Sequence, residues 1–370
     1  MNEDEIFKLK VQLTNEYLRS GGTQKIEDPY LLQDIIDFDE SRPETTTSRM
    51  RAFMNLQLKK LEQKGYSLAN LKLENFRMED SHLFADLKIK KNSQRILNDI
   101  VINGSSKFPE SHKRNLMRLY ANRTFNQDGL QKVFKEIEEY RFVKQTKYPE
   151  ILFTQDSTKI YVYLEKAKSN RFDGFIGFSN EEDGKFSFNG YLDILLHNIL
   201  NSGEQFLIYW KNDGKKQTSF NIGLQVPYIF KSPIGIKAEL NIFKKDSTFQ
   251  NTNTSIDLGY FFNYNSRLYL GYQATESSDI QNVNSSFISD FTNSFVTSQY
   301  EFTKFKTDDF LFPEKTVFHF KIGLGKRDSK TDSQNQVFGK MELRHNFYLN
   351  AKNIIHLKSQ NYLLTSENYI

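Results

Sequence analysis

The 370-residue chain has no cysteine, no long apolar run and little net charge. Without cysteine there are no disulfides, thiolate nucleophiles or cysteine–zinc clusters. That absence suits an envelope protein facing an oxidising compartment, and many cytosolic proteins share it. No stretch reaches the roughly 18 apolar residues that a membrane helix needs, and mean hydropathy is −0.62, so a helical membrane protein is excluded. A membrane β-barrel is not excluded, because half of each of its strands is polar. The formal net charge is +4, with 26% charged residues of interleaved sign, which gives no ground for a nucleic-acid partner. The start, Met1-Asn2-Glu3-Asp4-Glu5, lacks the basic and apolar segments of a secretory signal. Either the protein is cytosolic or its true N-terminus lies upstream. The second reading is the expectation here, for reasons that follow.

Signs of catalysis are also missing. The six histidines (His82, His112, His197, His319, His345 and His356) are scattered, without metal-ligand spacing. Gly323-Leu324-Gly325-Lys326 lacks the earlier glycine of a phosphate loop and is followed by Arg327 rather than Ser or Thr. Glu181-Glu182-Asp183, beside Gly184-Lys185, reads as a solvated hairpin loop. No enzyme activity, cofactor or metal is expected.

What the chain does contain is alternation. In Lys216–Val226, Phe220, Ile222, Leu224 and Val226 fall on one face, and Ser219, Asn221, Gly223 and Gln225 on the other. Next, Ile234, Ile236, Ala238, Leu240 and Ile242 oppose Gly235, Lys237, Glu239 and Asn241. Strand side chains alternate with period two, so each such ribbon has one oily and one wet face. Repeated in segments of roughly 10 residues between turns, this is the signature of a transmembrane β-barrel. The 33 Phe and 19 Tyr would supply aromatic girdles, although a soluble β-protein can be equally aromatic. About eleven strands are expected: 171–180, 185–199, 204–212, 216–229, 233–245, 252–264, 266–275, 294–306, 315–326, 335–348 and 351–363. Short connectors (Asn201-Ser202-Gly203, Lys231-Ser232-Pro233, Asn265-Ser266, Leu349-Asn350) alternate with longer polar ones such as 276–293, which would set the short side in the periplasm. The connector 307–314, with Phe310, Leu311, Phe312 and Pro313, reads as an interfacial anchor. Lys237, Glu239, Asp257, Lys340, Glu342 and Arg344 are expected to line a wet interior.

Before residue 171 the pattern is helical and mixed. A helix is expected over 3–20, stopped by Gly21-Gly22, and an acidic linker over 38–48. A second helix is expected over Met50–Lys64, capped by Gly65, followed by strands 70–77 and 82–90. Then come a strand over 96–103, helices 109–121 and 126–140, and strands 150–154 and 159–164, in the order β-α-α-β-β. The implied division is an N-terminal segment (1–45), a partial α/β unit (46–92), a full one (93–168) and the strand-rich region (169–370).

The 96–166 unit resembles a POTRA domain. The segment 171–245 resembles the start of the barrel of the BamA/TamA-type outer-membrane assembly superfamily. The residues carrying the second likeness are Asn170-Arg171-Phe172-Asp173-Gly174-Phe175-Ile176-Gly177-Phe178, Gly190 with Leu192 and Asn198, Gly203-Glu204, Trp210, Pro227-Tyr228-Ile229-Phe230 and Lys245-Asp246-Ser247-Thr248-Phe249. The fold class so implied is α+β POTRA units followed by an antiparallel transmembrane β-barrel. The family barrel has sixteen strands and an Arg-Gly-Phe/Tyr motif after strand eleven. This chain shows neither the last strands nor the motif, so it is expected to be a fragment. The resemblance further implies a bacterial outer-membrane location with the POTRA region in the periplasm. Its implied partners are unfolded outer-membrane client proteins, outer-membrane lipid and accessory periplasmic or lipoprotein subunits.

Two strand edges are the implied sites. One is the POTRA edge strand Glu150, Ile151, Leu152, Phe153 and Thr154, whose free backbone groups would accept a client strand; a merely blunted edge is the alternative. The other is the first barrel strand, Phe172, Asp173, Gly174, Phe175, Ile176, Gly177 and Phe178, one lip of a lateral gate. Gly174 and Gly177 would weaken that seam, or simply relieve crowding in a curved wall. Three functions stand open: assembly of outer-membrane proteins, export of a dedicated partner, and a passive porin-like barrel.

Overall fold

The structure is a computed structural model that describes residues 9–10, 44–45, 47–79, 82–104, 107–180, 186–214, 217–245, 248–279, 290–306, 312, 314–330, 332–350 and 352–366. The chain divides into two compact units, one of residues 1–98, 122–131 and 153–158, the other of 99–121, 132–152 and 159–370.

The first unit holds strands β1 (Leu9–Lys10), β2 (Glu44–Thr45), β3 (Asn70–Glu79) and β4 (His82–Lys90), in the order β2-β1-β4-β3, and helix α1 (Thr47–Gln63). Most of the helix expected over 3–20 lies outside the described residues. The two that are described form β1, which runs parallel to β4 and corrects that expectation locally. The linker expected over 38–48 likewise gives way at β2 and at the start of α1. The α1 terminus follows the sequence: the Tyr66 N–H donates to the Leu61 carbonyl at 2.9 Å and Gly65 N–H to Glu62 at 2.8 Å. This doubled bond closes a helix on a left-handed glycine, and Gly65 has φ +90°. Leu61 and Leu71 are buried here with Leu97, Phe125 and Leu130.

The next module comprises β5 (Leu97–Asn103), α2 (Glu110–Tyr120), α3 (Gln127–Glu138), β6 (Val143–Gln145), β7 (Glu150–Phe153) and β8 (Thr158–Lys166). Its sheet runs β5-β8-β6, and β7 also pairs with β8. The order is β-α-α-β-β-β: β6 is absent from the sequence reading, because three residues with Lys144 at their centre present no periodicity. Apolar positions of α2 and α3 (Leu116, Val133, Ile137) are buried, as are Ile100, Ile160, Val162 and Leu164 of the sheet.

From Arg171 onward the chain is a single antiparallel meander: β9 (Arg171–Asn180), β10 (Phe186–His197), β11 (Gln205–Asp213), β12 (Gln217–Val226), β13 (Ile234–Lys245), β14 (Phe249–Asn263), β15 (Ser266–Asp279), β16 (Phe291–Phe305), β17 (Glu314–Ser329), β18 (Ser333–Tyr348) and β19 (Ile354–Ser366). Every strand pairs with its sequence neighbours, leaving β9 and β19 as the two ends of an eleven-stranded sheet. The alternation is realised. On β14, Ile256, Leu258, Tyr260 and Phe262 are exposed while Ser255, Asp257 and Phe261 are buried; Ile256 is 62% exposed and Asp257 2%. An apolar face turned outward and a polar face turned inward is the reverse of a soluble sheet, and is the arrangement of a membrane barrel wall.

The expected contrast in connector length does not hold. On the side expected to be short, the gaps between strands are 198–204, 227–233, 264–265, 306–313 and 349–353; on the other they are 181–185, 214–216, 246–248, 280–290 and 330–332. Hydrophobic alternation ends before the strands do. Polar stretches such as Gln250–Asn251, Glu276–Asp279 and Arg327–Ser329 continue the ladder, because backbone pairing is indifferent to side-chain polarity. The anchor expected at 307–314 lies largely outside the described residues; Phe312 is described and is half exposed.

Candidate functional site

The inner face of the sheet is concave, and its ion pairs show it. Lys237 on β13 reaches Glu301 on β16, Nζ to Oε1, at 3.1 Å. Three strand spacings would separate these residues by about 14 Å on a flat sheet. Lys237 also meets Glu239 at 3.2 Å, Gln299 donates to Glu301 at 2.7 Å, and Arg267 stands 3.8 Å from the other Glu301 oxygen. A second cluster joins Arg344 to Glu314 at 2.8 Å and to Glu342 at 3.1 Å, with His319 Nδ1 3.6 Å from Glu342. Lys321 on β17 donates to the Gln273 amide oxygen on β15 at 2.8 Å. Of these groups Lys237, Glu239, Gln273, Gln299, His319, Lys321 and Glu342 line a polar cavity of about 640 Å³. The expected inward charges are all in place: Lys237, Glu239, Lys340 and Glu342 line this cavity, Asp257 is buried on the same face, and Arg344 pairs with Glu342. Glu301 and Arg267, which complete the network, were not singled out from sequence. Alternation assigns them to the inner face but cannot say which cross-wall partners meet.

The two expected pairing edges lie in different sheets. Glu150, Ile151, Leu152 and Phe153 form β7, and Thr154 falls in the turn after it. β7 pairs with β8 and lies off the main strand path. Thr154 closes the hairpin, its N–H donating to the Ser157 carbonyl at 2.9 Å. The Glu150 carboxylate is already engaged: it accepts from the Tyr163 hydroxyl at 2.7 Å and pairs with Lys147, and these bonds hold its carboxyl below the usual range.

β9 carries the other set. Its pairing is with β10, Arg171↔Leu195 through Asn180↔Phe186. Phe172, Ile176 and Phe178 share the apolar face and are highly exposed, Phe172 at 77%. Asp173 on the opposite face accepts from the Tyr191 hydroxyl at 3.0 Å, and Phe175 meets the Tyr191 ring edge-to-face. A Cβ on Gly174 would stand 2.6 Å from the Tyr191 carbonyl oxygen, and one on Gly177 would stand 2.2 Å from the Asn189 amide oxygen. Both glycines therefore serve close packing on β10, the alternative already noted for them.

The wall height changes along the sheet. β9 to β13 have 9 to 12 residues, whereas β14 to β18 have 14 to 16. At about 3.3 Å per residue and a tilt near 45°, nine residues span roughly 21 Å of height and sixteen roughly 37 Å. The wall is therefore lower from β9 to β13 than from β14 to β18.

Helix α2 is fastened to the sheet's turns. The Arg118 guanidinium donates to the Phe261 carbonyl at 2.9 Å, the Asn115 amide to Ser232 at 3.1 Å, and the Tyr264 N–H to the Glu136 carboxylate of α3 at 2.9 Å. At the centre, His112 is fully buried, edge-on to Tyr140, Phe142 and Tyr228. Its Nε2 has no hydrogen-bond partner among the described residues, and burial pulls its pKa down to about 3. The turn residue Gly203 (φ +74°) lies against this ring: a Cβ there would be 1.9 Å from His112 Cε1. In sequence His112 is one of six scattered histidines, with no signal of this role.

No family model matches the chain, and no curated protein sequence matches it. Among solved structures it is similar to BamA from Haemophilus ducreyi lacking POTRA domains 1–3, at TM-score 0.55 and 14% identity over 94% of this chain and 70% of that one. It also aligns with CdiB from Acinetobacter baumannii (TM-score 0.48, 11% identity, 98% of this chain and 69% of that one) and CdiB from Escherichia coli (0.46, 10%, 94% and 67%). The meander, its inverted polarity and the match to BamA agree: this chain has the fold of a BamA-type barrel wall preceded by α/β modules.

Proposed function

We propose that the chain is part of an outer-membrane assembly factor whose β9 edge templates client strands. The observation that carries this reading is that β9, the first strand of the sheet, whose one partner among the described residues is β10, lies in the short-stranded part of the wall. Unsatisfied backbone groups in hydrocarbon cost several kcal/mol each, so β9 requires a partner strand, and the strand of an unfolded client supplies the same hydrogen bonds. The ten residues of β9 span only about 23 Å at 3.3 Å per residue and a tilt near 45°, below the roughly 25 Å apolar band of such barrels, which would compress the bilayer beside that edge and ease insertion. The α/β modules act as a POTRA-type arm on the periplasmic side, with β7 as a second edge for strand addition. The partners are unfolded outer-membrane proteins, outer-membrane lipid and accessory periplasmic or lipoprotein subunits. The mechanism needs no cofactor, nucleotide, nucleic acid or catalytic residue.

The test is photocrosslinking in the full protein. A benzophenone amino acid at Phe172 or Ile176 should capture nascent outer-membrane proteins, while one at Ile256 on β14 should not. Equal capture at all three positions, or none at β9, overturns the reading. The polar cavity favours a second reading, export of one dedicated partner through the interior. Depletion then removes a single secreted protein rather than many membrane proteins.

A further inference from the structure

A second cavity, of about 350 Å³, opens where the α/β module meets the turn between β10 and β11. It falls within the range of small-ligand pockets, about 300–1,000 Å³. Its floor is Phe142 and Val143, and its polar rim includes Lys107, Lys166, His197 and Asn198. No Asp or Glu is among its lining residues. Neither lysine has an ion-pair partner among the described residues, so both ammonium groups are available to an anion. His197 is positioned by its neighbours, with Nδ1 3.1 Å from the Ser169 carbonyl oxygen and its own N–H donating to Asn170 at 2.8 Å.

The adjoining turn is rigid. The Glu204 carboxylate accepts from the Leu200 N–H at 2.6 Å, the Ser202 N–H at 3.1 Å and the Ser202 hydroxyl at 2.7 Å. The Asn198 side chain accepts from Gly203 N–H at 2.8 Å and donates to the Lys107 carbonyl at 3.3 Å. Glu204 is therefore occupied within the turn and does not neutralise the lysines. What this scaffold holds out is apolar: Ile199, itself part of the cavity lining, and Leu200, 76% exposed.

We infer that this cavity binds the headgroup of an anionic phospholipid of the periplasmic leaflet. Lys107 and Lys166 face the phosphodiester, and Ile199 and Leu200 lie along the first acyl carbons. A phosphate alone would explain the lysines but not the exposed aliphatic pair Ile199 and Leu200 beside them. The inference rests on the reading that this sheet crosses the membrane with its α/β-module end at the periplasmic leaflet. It does not depend on what the β9 edge captures.

The experiment is native mass spectrometry of the full protein in detergent with phosphatidylglycerol. One lipid should remain per chain, and K107Q/K166Q should lower retention at least tenfold while heat-modifiable gel mobility stays unchanged. I199S/L200S should lower lipid retention several-fold as well. Undiminished retention in K107Q/K166Q overturns the site. Displacement of the lipid by millimolar inorganic phosphate, with I199S/L200S unaffected, overturns the lipid in favour of a free anion. Phosphatidylethanolamine retained equally well overturns the requirement for negative charge. A chain that stays soluble without detergent sinks the membrane reading itself, an outcome distinct from all of these.

Discussion

The junction between helix α2 and the turns holds two buried groups, His112 and Glu139, whose responses to mild acid should oppose each other. His112 has an ordinary pKa of 6.5, pulled down to about 3 by burial. It stays neutral in the folded state while the opened state takes up a proton below pH 6.5, so it withdraws stability as pH falls from 6.5 towards 3. Glu139 is pushed the other way, from 4.5 to about 8, by burial and then by Glu136. Its folded form keeps a proton that the opened state loses, so its contribution is fully present below pH 4.5 and is lost as pH rises through 8. Between pH 4.5 and 6.5 each is worth about 1.4 kcal/mol per pH unit with opposite sign, and their sum is near zero. The assay is hydrogen exchange on the full protein in detergent, corrected for intrinsic rates, read on amides of α2 and α3 in an opening that exposes both helices. From pH 6.5 to 4.5 the His112 and Glu139 contributions should cancel in wild type. Relative to wild type, E139Q should lose about 2.7 kcal/mol of opening free energy, and H112F should gain about the same. Glu136, also raised by burial, adds stability on acidification to wild type and both variants alike, so each variant is read as its difference from wild type. At neutral pH H112F should be at least as stable as wild type, since it removes a buried nitrogen that has no hydrogen-bond partner among the described residues. If both variants follow the wild-type profile, these groups do not open with the junction and the reasoning fails.

Ile256→Arg should cost about 2–4 kcal/mol in urea unfolding from lipid vesicles, and Thr275→Arg on the inner face should cost far less; equal costs would refute the assignment of faces. Gly203→Val should loosen α2, seen as faster proteolysis of the α/β module, and His112→Ala should partly rescue it by vacating the space that the new side chain needs. Absence of rescue would mean that the left-handed backbone at Gly203, rather than the ring, sets the constraint. Glu301→Gln leaves Lys237 and Arg267 without their shared anion and should destabilise the sheet by about 1.5–3 kcal/mol in the same vesicle assay.

The strand count and the polarity of each face were legible because period-two alternation records which side of a strand meets lipid. Ile256 against Asp257 is such a record. Strand ends were not legible, because the backbone ladder runs on through Glu276–Asp279 and Arg327–Ser329 without any apolar residue to mark it. For the same reason the contrast between short and long connectors disappeared once the strands were seen at full length. Strand β6 escaped because three residues cannot display a period. His112 escaped because its role depends on Gly203 and Tyr228, residues 91 and 116 positions away, brought to it only by the fold.

The seam shows how one residue type can support two mechanisms until geometry separates them. Gly174 and Gly177 fit a weakened edge and a crowded one equally well in sequence, and the near contacts to Tyr191 and Asn189 show crowding. The register differs along the wall. β9 and β10 share ten paired positions, Asn180↔Phe186 to Arg171↔Leu195, whereas β16 and β17 share fifteen, Phe291↔Ser329 to Phe305↔Glu314. With each pair contributing backbone bonds and cross-strand contacts, the β9 end of the wall is held by about two thirds as many interactions as β16 and β17. Glycine content does not set that difference, so replacing Gly174 or Gly177 should disturb packing on β10 without closing the edge. Lengthening β9 and β10 by two residues each is the change that should stiffen the wall where clients are proposed to enter.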